Sequence, residues 1–280
     1  MQELTPVFET REITKSTQMS HIQTLNKIQK MYTIFKPLYQ HSFDECLHIL
    51  DIDPTLSTSY KRKIISLFII TKDHYNKLDE DLPRLKEFLY ELNQINKTES
   101  SEKLQHEDTS QFEEIRDWIE SIDIDKDPVK YVVNYLVFYI NVRNMDLVVK
   151  IIDYDHQCLI PTGDTGNYLM YSHFEVKYLR NSYKTKKTYG SKIISITEPK
   201  FVDAVSRIKF NTYLLNNNPN TVRQMIKGRL YNNMNETQYL HNVIQQYKGD
   251  INKILEIEFN RGSSIRMLLT AYNSDLNPKK

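Results

Sequence analysis

The chain has 280 residues, 40% hydrophobic and 26% charged, which is enough apolar material for one large core or two ordinary ones. Its 37 basic and 36 acidic side chains leave a formal charge of +1, so a polyanionic partner is neither required nor excluded by the sum, and only a local field can decide. The two cysteines, Cys46 and Cys158, fit a reducing compartment; with eight dispersed histidines and no CxxC or HExxH spacing, no zinc site is readable.

In chain order, MQELTPVFETREITK carries charges where a signal peptide needs an apolar run. No later stretch approaches the roughly 20 apolar residues of a membrane span, so a soluble, intracellular chain is expected. Over 20–39, Ile22, Leu25, Ile28, Met31, Tyr32 and Phe35 recur at three-and-four spacing, which predicts an amphipathic helix stopped near Pro37. Ser42-Phe-Asp-Glu45 has the layout of a capping box and opens a short helix through Leu50. Ser57 or Thr58 is placed to cap a helix running to Ile70, and a fourth helix is expected over 82–95. These predict a helical domain at 15–97.

Residues 98–110 read as a linker, followed by a second domain at 111–280. Within the acidic stretch 96–127, Phe112, Ile115, Trp118, Ile119 and Ile122 mark a helix whose acids form a solvated face. After Pro128, VKYVVNYLVFY is apolar nearly all round and predicts a buried helix. Strands are expected over 147–152, 168–171, 174–179 and 192–197, and helices over 201–210, 221–230, 237–247 and 264–272. The fold class is mainly α with a small antiparallel β-sheet, an α+β arrangement.

Three places invite chemistry. Arg143 follows the buried helix in YINVRNMDL, where a rigid element can present its planar fork of donors to two phosphate oxygens; the alternative is a structural pair with Asp146. Next, Lys177, Arg180, Lys184, Lys186, Lys187 and Lys192 occur without an acid, around NSYKTKKTYG. On strand alternation Lys184 and Lys186 share a side and Lys187 points elsewhere. Such a tip, beside Tyr183 and Tyr189, suits a phosphate backbone, and it equally suits an edge strand protected by lysines. Last, Arg261 precedes Gly262 and a Ser263/Ser264 pair that caps a helix beginning IRMLL, an anion-friendly corner with Arg266 one turn on. Its alternative is two surface arginines.

The order of these features resembles the tyrosine recombinases, a family that includes phage-type integrases. NYLVFYINVRNMDLVV looks like the first arginine box, with Arg143. GNYLMYSHFEVKYLRNSYKTKKTYGSKIISI looks like the sheet bearing the catalytic lysine, Lys184 or alternatively Lys186, and particularly resembles integrase-like proteins of large DNA viruses and their relatives. FNRGSSIRMLLTAYN looks like the second box, with Arg261, or Arg266 in a shifted register. The resemblance covers about 20–275. It implies a two-domain clamp around double-stranded DNA, possible homo-oligomers on DNA, and phosphate contacts by those cations. In that family an arginine clamp grips the scissile phosphate, a lysine protonates the leaving oxygen and a tyrosine attacks, without metal or cofactor.

Two departures bear on activity. Glu258, or Ser263 in the shifted register, stands where the family has histidine, and Gly262 where a second histidine follows. Tyr272 is the one tyrosine after Arg261 and lies too close to it to reach a phosphate held by its own arginine. The resemblance therefore implies a DNA-binding, catalytically incomplete recombinase homologue. An active integrase with its tyrosine elsewhere or in trans, and a virion or scaffold protein reusing the fold, are the alternatives.

Overall fold

In the computed structural model the capping box at Ser42 is formed in both directions: Ser42 Oγ accepts the Glu45 N–H at 3.3 Å, and Glu45 Oε2 accepts the Ser42 N–H at 2.7 Å. The structure describes residues 4–11, 13–31, 36–105, 111–154, 164–183, 185–265 and 268–269. The chain divides into two compact units, Met1–Glu102 and Lys103–Lys280.

The first unit is helical: α1 (Leu4–Thr10), α2 (Lys15–Met31), α3 (Phe43–Asp51), α4 (Thr58–Tyr75) and α5 (Asp81–Gln105). Ser57 is the cap of α4, accepting the Tyr60 N–H at 3.3 Å. Ile64, Ile65, Leu67 and Phe68 of α4 join Leu25, Ile28, Leu50 and Leu85 in one core. Each such side chain removed from water contributes about 1.5–3 kcal/mol. Helix α1 was not expected from the pattern, yet its Leu4 and Phe8 belong to this core. Helix α5 runs on through Gln105, where a linker was expected.

The second unit opens with α6 (Phe112–Ser121) and α7 (Pro128–Phe138). Asp127 caps α7 by accepting the Lys130 N–H at 2.9 Å, and Pro128 fills the first turn, where a missing N–H costs nothing. The expected burial of α7 is observed. Its buried Asn134 is satisfied: Nδ2 donates to Lys130 O and Arg229 O, and Oδ1 accepts the Tyr239 hydroxyl at 2.8 Å, whereas the buried Tyr131 hydroxyl has no hydrogen-bond partner among the described residues.

A sheet follows, in the order β1 (Val149–Asp153), β2 (Asn167–Tyr171), β3 (Val176–Arg180) and β4 (Lys192–Ile196). The expectation of an antiparallel sheet needs correction. β2–β3 and β3–β4 are antiparallel, but β1 and β2 run parallel. The connection between β1 and β2 is long enough for the crossover that parallel neighbours require. Between β3 and β4 lies one helical turn, α8 (Lys186–Tyr189), so the strand alternation expected for Lys186 and Lys187 does not apply. Helices α9 (Pro199–Ser206), α10 (Pro219–Ile226), α11 (Glu236–Tyr247) and α12 (Ile251–Arg261) complete the unit. Among the described residues no helix is long and apolar enough to cross a membrane.

Candidate functional site

The last carbonyls of a helix have no intrahelical partner and form the negative end of its dipole, so cations gather there. At the end of α12 three do. Lys192 Nζ donates to Phe259 O, Arg180 Nη1 to Asn260 O, and Arg143 Nη2 to Gly262 O at 3.4 Å. Thr185 Oγ1 adds a bond to Gly262 O at 2.7 Å. Gly262 makes the approach possible. Its φ of 65° is left-handed, and a Cβ there would lie 2.5 Å from Thr185 Oγ1 and 3.0 Å from the Tyr183 ring.

Arg143 reaches this point because the chain leaves α7 through Asn141, whose φ of 59° turns it back. The expected Arg143–Asp146 pair exists only through the backbone, with the Arg143 N–H donating to Asp146 Oδ2 at 3.2 Å. The guanidinium goes elsewhere, with Nη2 on Ser263 Oγ at 2.9 Å. The Asp146 carboxylate instead pairs with Arg180, and both side chains are almost wholly buried. Asp146 O accepts the Tyr178 hydroxyl at 2.7 Å and Asn167 Nδ2 at 3.2 Å, so this residue pins the sheet to the turn after α7. Burial pushes its carboxyl up from the usual carboxylate range, with Arg180 pulling the other way.

Arg261 ends α12, whose carbonyl end favours cations, and Gly262 is its left-handed stop. A helix also begins after it, as expected: Ile265, Leu268 and Leu269 are helical and the Leu268 N–H donates to Ser264 O at 3.0 Å, but the Ile265 N–H is taken by Glu258 Oε1 at 3.2 Å rather than left for an anion. Arg261 pairs with Glu236 and donates from Nη1 to Asn141 O at 3.3 Å. Glu236 Oε2 also accepts the Asn144 N–H at 2.8 Å, which ties Arg261 to the Arg143 turn.

Four cations far apart in sequence, Arg143, Arg180, Lys192 and Arg261, thus share one cluster. Two carboxylates, Asp146 and Glu236, touch them directly. Burial lowers the basicity of Arg143, and the neighbouring Arg261 and Arg180 lower it further. Lys192 is lowered in the same way, by burial and then by Arg180. Arg143 Nη1 is shut off from water and has no hydrogen-bond partner among the described residues. Such an arrangement favours an incoming oxyanion, which would meet a forked donor and relieve repulsion among the cations.

The remaining expected contacts fall in different places. Arg180 and Lys192, expected at a DNA surface, are buried, and Lys192 Nζ lies 4.4 Å from the centre of the Phe259 ring. Lys177 points from the other face of β3 and pairs with Glu175 at 2.9 Å, so it is not part of the cluster. Lys186 is half-buried and Lys187 exposed on α8. Lys184, Arg266 and Tyr272 lie outside the described residues, as does Cys158.

No family model, curated protein or solved structure matches the chain. What the site can do is therefore read from its own donors and charges. Sequence reading missed Asp146 as the partner of Arg180, and it missed Glu236 and Thr185 altogether. One signal was available. Arg180 has the same strand parity as Val176 and Tyr178, so a cation stood in a core-facing row and needed a buried anion.

Proposed function

We propose that the second unit binds the phosphodiester backbone of double-stranded DNA, with Arg143 and Ser263 at the contact and Lys186 and Lys187 at its margin. The observation that carries this is Arg143 Nη1, without a partner and dehydrated among three further cations. The tyrosine-recombinase resemblance and its two-unit clamp belong to the same proposal, and Arg143, the basic hairpin and Arg261 keep the roles of phosphate-site residues or their supports. The proposal is for binding rather than strand cleavage. At the place of the family's histidine Glu258 offers a carboxylate, and its Oε1 accepts the Ile265 N–H at 3.2 Å.

A scaffold role without nucleic acid is the second reading. It is favoured by the use of Arg180 and Lys192 as caps of α12 and of Arg261 as the partner of Glu236. Fluorescence anisotropy with a labelled duplex separates the two. Arg143→Ala is expected to weaken binding about tenfold or more, as the loss of a charge-assisted bond does. Lys177→Ala, already neutralised by Glu175, should leave it almost unchanged. Equal effects of the two substitutions, or no binding by the wild-type chain, favour the scaffold.

A further inference from the structure

The helical unit holds a second concentration of donors, unrelated to the cluster just described. Ser59, Arg62, Lys63 and Ser66 stand at i, i+3, i+4 and i+7 on α4, so they form one stripe along the helix. Facing them across a cavity of about 380 Å³ are Ser20 and His21 of α2 and Asn93 of α5, and among the described residues no carboxylate lines it. Ser59 and Lys63 are exposed and Arg62 and Ser66 half-buried, so the stripe opens to solvent beside the apolar face of α4. Among the described residues Leu89 is the one apolar side chain in the lining. Arg62 Nε is excluded from solvent and has no hydrogen-bond partner among the described residues. Glu99, on α5, is engaged by the Thr58 hydroxyl at 2.6 Å and is not part of the lining.

We infer that this cavity is a phosphate-binding site, in which the Arg62 fork and the Lys63 charge hold the oxyanion and Ser59 and Ser66 hydroxyls donate to it. Three features select that chemistry. The lining offers donors without an acid, its arginine has an unused and dehydrated N–H, and a guanidinium fork matches two oxygens of one tetrahedral anion. The cavity exceeds the size of a bare ion, so the phosphate of a larger molecule fits equally. A free phosphate or phosphomonoester and a nucleic-acid backbone are the two sources of the same group.

The test is titration of inorganic phosphate into the full chain labelled with ¹⁵N-arginine, at constant ionic strength maintained with chloride. The Arg62 Nε–H resonance, assigned by its absence in Arg62→Lys, is expected to move and saturate at millimolar phosphate. Ser66→Ala should weaken the apparent affinity about tenfold, the usual scale for losing one bond to a charged group. Adding unlabelled duplex then identifies the source: displacement of phosphate indicates a nucleic-acid backbone, and persistence indicates a small phosphate compound. No saturable shift, or the same shift with chloride alone, overturns the inference. Because the readout is Arg62 itself, its failure is distinct from failure of DNA binding at Arg143.

Discussion

Asp146 holds a position that few carboxylates tolerate. It is nearly inaccessible to water, its charge is balanced by an equally buried Arg180, and its carbonyl anchors Tyr178 and Asn167. Replacing such a pair with apolar groups can be neutral, but removing one partner leaves an isolated buried charge. Asp146→Asn keeps the shape and strands Arg180, so it should cost about 3–5 kcal/mol. The chain's single tryptophan, Trp118, packs against the core of the second unit, and its fluorescence in a urea titration reads that loss directly. A midpoint equal to wild type would show that Arg180 does not depend on this carboxylate. Arg143 was visible in the sequence as a residue at the end of a buried helix. Its neighbour Asp146 was legible only as a local partner, because the true one lies across the sheet and no spacing rule connects them.

At the scale of elements, α3 and α12 show the two ends of one electrostatic rule. α3 starts with Ser42 accepting an orphan N–H, and α12 ends with Lys192, Arg180 and Arg143 on orphan carbonyls. Ser42→Ala should destabilise the helical unit by about 1 kcal/mol, the common cost of a lost cap, seen as a lower urea midpoint by circular dichroism. An unchanged midpoint would mean that the cap is not formed in solution. Glu45 of the same box is held down to about 2, first by the Lys36 hydrogen bond and then by the Ser42 N–H. Its folded pKa is depressed, so its contribution is complete above the ordinary value of 4.5 and is lost as pH falls toward about 2. Glu45→Gln should flatten the pH dependence of the midpoint across that window, and an identical slope in both proteins would contradict the assignment.

The capping box was readable because its two halves lie three residues apart. The cation cap of α12 was not, because Arg143, Arg180 and Lys192 come from three separate segments. The same distinction explains the sheet. Strand positions follow from local alternation, whereas the parallel pairing of β1 with β2 depends on a crossover that local pattern does not encode. Gly262 and the serines after it mark a helix end as well as a helix start: α12 stops at Arg261, and the helical residues Ile265, Leu268 and Leu269 follow.

For the molecule as a whole, a net charge of +1 conceals local asymmetry. The four-cation cluster in the second unit and the acid-free cavity in the first each gather basic groups that the balanced total hides. A phosphate-binding surface of this kind displaces counterions from DNA, and its affinity must fall as salt rises. The most direct measurement is the association constant of the wild-type chain with duplex DNA across a range of salt concentrations, repeated with Arg143→Ala. A linear decline of log K against log salt is predicted, with a slope of about −2 to −4 for a few phosphates and one shallower by about 1 in the variant. No binding at low salt, or binding with the same salt slope in both proteins, would contradict a phosphate contact at Arg143.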